Sequence, residues 1–303
     1  MGNTTSILDD SSAPTEEPEM IKTTVAASTQ DLPHTYAILA GSDADTVGHA
    51  VVIHIHSKED EEEESPEGVW KMIQDLFRSD NAKVHAALSA LFLGLDDENN
   101  KKKRDKIQAV GGCFALVQAL KNYLDKAIDS IPACDQVTQS NKHAELITLS
   151  KTLQVVANLI FRHEESKVGI AATGGVEAVV KVMKTFPKCK LLQENACGAL
   201  CNLTCNSILG KANAIASGGI EVHLAAVNNH LGSPDVCEDS FGALVNIVAD
   251  SNENTELLIN LGGGAAVAKV RRKWPDNDKI QQHVRRLAKM LAAEMNNWAD
   301  ERL

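Results

Sequence analysis

The stretch that decides the fold is "LLQENACGALCNLTCNSILGKANAIASGGIEVHLAAV", residues 191–227. Its Gly-Ala-Leu-x-Asn segment at 198–202 recurs 44 residues later in "FGALVNIVADSNENTELLINLGGGAAVAKV", residues 241–270. A pair of glycines follows the segment both times. A repeat of about 40 to 47 residues that lacks strand signals indicates a helical solenoid.

Glycine pairs and asparagines keep the same period along the chain. The glycine pairs are Gly111–Gly112, Gly174–Gly175, Gly218–Gly219 and Gly262–Gly263. The last three pairs are 44 residues apart, whereas the first precedes the second by 63, which is one period plus 19 residues. The asparagines Asn158, Asn202 and Asn246 are also 44 apart. Two independent markers in one register indicate a true internal repeat.

The pattern inside each unit predicts helices. Ala196, Ala199, Leu200 and Leu203 recur at steps of three and four, which places them on one helix face. A short apolar helix precedes each glycine pair and another follows it. Glycine suits such a corner because it adopts positive φ without a clash and lets two helices approach closely. Each unit therefore consists of a short helix, a Gly-Gly turn, a second helix and a long third helix.

This arrangement resembles the armadillo repeat, from "NACGALCNLT" running into "KANAIASGGIEVHL". The resemblance covers roughly 67–303 and implies an all-α, right-handed α-solenoid of about five armadillo-like repeats. It implies third helices at about 80–95, 145–161, 190–205, 234–250 and 277–296. The 19 extra residues place an insertion loop at 128–146, since insertions between the helices of a solenoid form surface loops.

Residues 1–66 have a different composition. They carry 14 acidic residues and 2 lysines, whereas 67–303 carry 28 basic and 27 acidic residues. We expect an acidic, disordered N-terminal tail, because so polar a segment buries too little surface to offset its chain entropy. Two apolar stretches, "TYAILAG" and "HAVVIHIH", are exceptions that favour a short strand or helix. The run "KEDEEEES" at 58–65 has two interpretations: a solvated linker, or a segment that folds back on the basic run at 101–104.

The armadillo resemblance implies a function for the asparagines. In that family the third helices line a concave groove, where asparagines bond the main chain of an extended peptide, since an amide both donates and accepts. The alternative is that each amide only bonds backbone between neighbouring helices. Residues on the same helix face would set side-chain preference. The predicted groove residues are Asn158, Asn202, Asn246, Gln154, Lys151, Asn195 and Asp239.

One subgroup of the family fits poorly. Nuclear-import adaptors carry tryptophans four residues before the asparagines, where this chain has Gln154, Gly198 and Gly242. A receptor for nuclear-localisation signals is therefore the less favoured alternative. The Gly-Ala-Leu-x-Asn form is closer to that of scaffold and adaptor proteins.

No pattern of catalytic or cofactor-binding residues accompanies the repeat. Cys197, Cys201 and Cys205 lie at helical spacing, which favours packing between helices over a metal site, so we predict no metal and no cofactor. The run "KKKR" at 101–104 is interpreted as a solvated charge cluster in a loop between helices, with a nuclear-localisation signal or a phosphate-binding patch as alternatives. We expect no enzyme activity and no nucleic-acid partner.

The N-terminus "MGNTTS" fits the acceptor pattern for N-myristoylation at Gly2. A single myristoyl chain binds membranes only marginally, and the acidic tail adds no second attraction. No secretory signal or run of 18 apolar residues is present, and the cysteines suit a reducing compartment. We predict a cytoplasmic scaffold for a protein or peptide partner, with the nucleus as a second location and membrane tethering through Gly2 as an alternative. The oligomeric state is not predicted by the sequence.

Overall fold

The computed structural model describes residues 36–39, 51–54, 65–78, 81–92, 95, 101–130, 144–249 and 251–301. The chain divides into two units, Met1–Ile55 and His56–Leu303. In the first unit, strand β1 (Tyr36–Leu39) pairs antiparallel with β2 (Val51–His54), so that Tyr36 lies opposite His54. These strands fall within the two apolar stretches of the predicted tail. Gly2 and the acidic run at 58–64 lie outside the described residues.

The second unit is built of helices, which confirms the predicted all-α body. Its helices are α1 (Pro66–Asp75), α2 (Asn81–Phe92), α3 (Lys101–Ala109), α4 (Gly112–Ser130), α5 (Ala144–Ile160), α6 (Glu164–Ala172), α7 (Gly175–Thr185), α8 (Lys190–Thr204), α9 (Ile208–Ala216), α10 (Gly219–Asn229), α11 (Pro234–Val248), α12 (Asn252–Asn260), α13 (Gly263–Lys273) and α14 (Asp278–Glu301). From α3 onward they fall into triplets, and from α6 onward each triplet consists of a short, a medium and a long helix. The long third helices are α5, α8, α11 and α14, and α2 precedes them as the third helix of an incomplete first unit.

Two details of the predicted organisation need correction. Residues 128–130 complete helix α4 and 144–146 begin α5, so both ends of the predicted insertion loop 128–146 are helical, and its centre lies outside the described residues. The placement of the basic run 101–104 in a loop is also wrong, because it forms the first turn of α3. Within it, Arg104 is only 2% exposed and donates hydrogen bonds to the carbonyls of Leu95 (2.8 Å) and Asn158 (3.0 Å). The cation therefore joins two repeats internally.

Each glycine pair forms the corner between the first and second helix of a unit. Gly174 has φ of 83° and Gly218 of 84°, a left-handed conformation that a side chain disfavours. The second glycine of each pair serves a different need. A Cβ placed on Gly175 would lie 2.4 Å from Cγ2 of Ile170, so only glycine lets α7 start against α6.

The residues that cap the first helices also recur every 44 residues. Ser207 and Ser251 accept hydrogen bonds from the backbone nitrogens of Gly210 and Asn254, and His163 does the same for Ser166. These side chains satisfy donors that a helix N-terminus leaves unpaired. A continuous apolar core runs along the helices, and it includes the fully buried Phe186 and Phe241.

Glutamines join the second and third helices inside the core. The Nε2 atom of Gln193 donates to the carbonyls of Met183 (3.1 Å) and Phe186 (3.0 Å) at the end of α7. Gln281 makes the equivalent bonds at the end of α13, to Arg271 and Trp274. These bonds satisfy helix C-terminal carbonyls that would otherwise be buried without a partner.

Candidate functional site

The third helices α2, α5, α8, α11 and α14 pack in sequence, each against the next. This order brings Asn158, Asn202 and Asn246 to equivalent positions on three adjacent helices, and all three are partly exposed. We call the partly exposed surface of α5, α8 and α11 around these residues the third-helix face.

The amide nitrogens of two asparagines hold neighbouring third helices together. Nδ2 of Asn202 donates to the carbonyl of Ala157 on α5 (3.1 Å), and Nδ2 of Asn246 donates to the carbonyl of Cys201 on α8 (3.2 Å). The same contact repeats at 44 residues, as the period requires. The structure therefore shows the backbone contacts of the alternative interpretation at these two positions.

The other half of each amide remains available. Among the described residues, Oδ1 of Asn202 and of Asn246 accepts no hydrogen bond, and neither oxygen is buried. Within the same part of the chain, the side chain of Asn158 makes no hydrogen bond. We call Asn158, Asn202 and Asn246 the asparagine ladder. The ladder thus presents two acceptor oxygens, together with the complete amide of Asn158 at its N-terminal end. Binding of a peptide by these groups stays a prediction.

The residues four and seven positions before the asparagines have diverse contacts. Asn195 donates to Oγ of Ser150 on α5 (2.7 Å) and to the carbonyl of Leu191 (3.0 Å). Lys151 and Gln154 are partly exposed on α5. These side chains share the third-helix face, as the predicted helix geometry requires.

Asp239 is the most strongly perturbed carboxyl of the face. Its pKa is raised from 3.8 to about 7, mainly by burial and also by the carboxylates of Glu238 and Asp235, while Lys279 acts in the opposite direction. Lys279 is instead paired with Glu238, at 3.5 Å. The Asp239 carboxyl is therefore a half-buried group without an ion pair among the described residues.

The glycines four residues before the asparagines leave room for side chains of the next third helix, and Gly198 leaves room for Asp239. A Cβ on Gly198 would lie 3.1 Å from Oδ2 of Asp239, so this carboxyl occupies the space over α8 that a side chain would fill. On the next pair of helices, the ring of His283 lies over Gly242 at 3.6 Å from the equivalent Cβ position. Burial lowers the pKa of His283.

The sequence analysis did not include His283 in the face, although the repeat contained the signal. His283 is 44 residues after Asp239, just as Asp239 is 44 after Asn195. The neighbouring acids Glu238 and Asp235 are missed for a different reason, since they lie outside the register of the ladder.

Other predicted features concern chemistry and membranes. No group of three or more His, Cys, Asp or Glu side chains in the described ranges is arranged to hold a metal ion. Burial raises the pKa of Cys201 to about 12 and raises that of Cys197 further, so these thiols are poor nucleophiles. Within the part of the chain that is described, no helix combines the length and apolarity needed to cross a bilayer.

Three-helix units with a glycine corner, stacked through their third helices, define an armadillo-like repeat fold. The unit His56–Leu303 is an α-solenoid of this class.

Comparisons with known proteins include a solved structure that supports the fold. No protein-family model matches the chain. Protein aardvark of Dictyostelium discoideum is 32% identical over 134 residues, which are 41% of this chain and 18% of that protein. An engineered protein of known crystal structure aligns with 75% of this chain and 81% of its own at 17% identity, with a TM-score of 0.59. A designed armadillo repeat protein aligns with 73% of this chain and 98% of its own at 19% identity, with a TM-score of 0.48, too low to bear on the assignment.

Proposed function

We propose that the chain is a non-enzymatic scaffold that binds an extended segment of a partner protein along the third-helix face. The observation that carries the proposal is the ladder Asn158, Asn202 and Asn246. The amide nitrogens of Asn202 and Asn246 hold neighbouring helices, while their oxygens accept no hydrogen bond among the described residues. Polar groups repeated along a rigid scaffold commonly serve binding. An acceptor on each successive helix suits a ligand that presents backbone N–H groups at regular intervals.

The spacing of the ladder fits an extended chain. Packed helices lie about 8–10 Å apart, and an extended chain advances about 3.3 Å per residue. Successive asparagines would therefore meet every second or third residue of the ligand. Because the bonds go to the main chain, they fix the position of the ligand without selecting its sequence.

Selection would come from the charged residues beside the ladder. Asp239 has no ion pair among the described residues, and its pKa of about 7 means that a cation placed against it would favour the ionised carboxylate. We expect a lysine or arginine of the ligand at this position. Binding should then strengthen as pH rises through 7, when the carboxylate forms more easily.

The test uses peptides selected from a displayed random library against the full chain, with affinities measured by fluorescence anisotropy. We expect Asn202→Ala combined with Asn246→Ala to weaken binding by about 5- to 100-fold, from two hydrogen bonds of about 0.5–1.5 kcal/mol each. Unchanged affinity in a correctly folded double variant would refute the proposed binding mode.

These asparagines also support the fold, so the control must lose a similar contact elsewhere. Nδ2 of Asn213 on α9 donates to the carbonyl of Ala171 on α6 (3.0 Å), away from the third helices. Asn213→Ala removes an interhelix amide bond of the same kind. It should lower stability comparably and leave peptide affinity unchanged.

The cellular location is proposed on composition alone. We expect the chain in the cytoplasm or nucleus. Acylation of Gly2 stays a prediction, since that residue lies outside the described part of the chain.

A further inference from the structure

The first helix of the fourth unit, α9, exposes an apolar face. Ile208 is 90% exposed and Leu209 is 39% exposed, and Ala212 and Ala216 follow on the same side. Residues 208, 212 and 216 are four apart, so they form one stripe along the helix. We call these four residues the α9 strip. An isoleucine exposed to this degree contributes nothing to the core of the unit.

Equivalent positions in neighbouring units show that the strip is particular to α9. The residues 44 before Ile208 and Leu209 are Glu164 and Glu165 on α6. The residue 44 after Leu209 is Glu253 on α12, and the one 44 after Ala212 is Glu256. All four glutamates are exposed. At the two remaining positions α6 carries the apolar Val168, which is 52% exposed, and Ala172, and α12 carries Asn252 and Asn260. Each of the two neighbouring first helices thus has two glutamates where α9 has apolar side chains, and these glutamates flank the strip in sequence register.

Two further apolar side chains are exposed on α12 and just after it. Between α6 and α9, Asn213 closes the seam through its bond to Ala171. The residue at the Asn213 position on α12 is Leu257, which cannot donate and is 36% exposed. Leu261, one turn on, is 40% exposed.

The charges around the strip indicate what covers it. Glu253 and Glu256 form no ion pair with any described residue, whereas Glu164 pairs with Lys167 at 2.6 Å. The cation on α9 itself, Lys211, is half-buried. The rim is therefore predominantly acidic. We propose that the α9 strip is a second docking surface, which binds an amphipathic helix whose apolar stripe is flanked by lysine or arginine.

Two other occupants are disfavoured by the same charges. Residues 1–66 of this chain carry 14 acids and 2 lysines, so the glutamates of the rim would repel them. A second copy that paired strip to strip would bring its own glutamates against this rim. A cationic helix satisfies both the apolar stripe and the acidic rim.

The experiment selects 16-residue peptides from a displayed random library on the full chain and measures synthetic winners by fluorescence anisotropy. We expect enrichment of peptides with apolar residues at helical spacing and Lys or Arg beside them. Ile208→Asp with Leu209→Asp should weaken these peptides at least 10-fold. Glu253→Lys with Glu256→Lys should weaken them about 3- to 10-fold, and provides a second variant that leaves the strip intact.

Two controls separate this surface from others. Phe77→Ser removes an apolar side chain that is 49% exposed on a different part of the chain and should change nothing. Asn202→Ala with Asn246→Ala should also leave these peptides unaffected, so failure of the third-helix face and failure of the strip are distinguishable. The proposal is overturned if Ile208→Asp leaves binding intact, or if the winners carry acidic rims. It is also overturned if the wild type sediments as a dimer that Ile208→Asp dissociates.

Discussion

Replacing Asp239 with asparagine should stabilise the protein at alkaline pH and have little effect at acidic pH. Asparagine has nearly the shape of a protonated aspartate, and it cannot ionise. In the folded protein the carboxyl has a pKa of about 7, compared with 3.8 ordinarily. The folded state therefore holds a proton over a pH range in which the unfolded state has released it. By linkage, the free energy of unfolding falls as pH rises from about 4 to about 7 and then levels off.

The size of the effect follows from the pKa difference. The pKa is 3.8 in the unfolded state and about 7 in the folded state. At about 1.4 kcal/mol for each unit of this difference, the free energy of unfolding is lowered by at most about 4 kcal/mol above pH 7. Because the Asp239 side chain is only half-buried, solvent screens part of this penalty. We expect Asp239→Asn to gain about 1–2 kcal/mol at pH 8, which is about 2–8 °C in melting temperature for a unit of this size. At pH 4.5 the two proteins should melt within about 1 °C of each other.

The assay is thermal unfolding followed by circular dichroism at pH 4.5, 6, 7 and 8. The control is Asp129→Asn, which makes the same chemical change at an exposed position on α4. It should shift the melting temperature by less than about 2 °C at every pH. A gain from Asp239→Asn that is equal at all pH values would contradict the reasoning, and so would a loss at pH 8.

Three further substitutions test the fold. Arg104→Met should lower the free energy of unfolding by about 2–4 kcal/mol, because it leaves two carbonyls inside the fold unpaired. The control Lys102→Ala, at an exposed position, should lower it by less than about 0.5 kcal/mol. Urea unfolding measures both. Both ring nitrogens of the fully buried His223 lack a hydrogen-bond partner in the described structure, and burial lowers its pKa to about 3. His223→Leu should therefore stabilise the protein by about 1 kcal/mol at pH 7. Since that depressed pKa makes stability fall as pH drops below 6.5, the gain should be larger at pH 4.5 than at pH 7 in thermal melts followed by circular dichroism. Gly218→Ala should destabilise by about 1–2 kcal/mol through its left-handed backbone, and Gly264→Ala, with open space around it and no positive φ, should not, as calorimetry can show.

The repeat register allowed much of the fold to be predicted, because one constraint acts on every unit. A corner that needs positive φ admits glycine and little else, so Gly174 and Gly218 mark helix ends directly in the sequence. Third helices must also stack on their neighbours, which fixes the positions of Asn202 and Asn246 along α8 and α11. The sequence predicts these elements because the same local physics recurs every 44 residues.

Features that break the register could not be predicted in this way. Arg104 lies in a run of four basic residues whose composition indicates solvent, and only the fold shows that one member reaches two carbonyls inside. The elevated pKa of Asp239 depends on Glu238 and Asp235, whose closeness is visible in sequence, and on burial by α8, which is not. Conversely, the apolar strip on α9 becomes informative only when two of its four equivalent positions on α6, and two on α12, show glutamate.

The asparagine ladder shows why periodicity alone does not separate a structural from a functional role. On α8 and α11, stacking uses a donor at this position, and peptide binding would use a polar group at the same position, so either demand preserves the same period. The amide can serve both with different atoms: Nδ2 of Asn246 bonds the carbonyl of Cys201, while its Oδ1 is left to accept. If the ladder served stacking alone, Asn246→Lys, which retains a donor, would keep peptide affinity; loss of affinity with retained stability would assign the acceptor oxygen to the ligand.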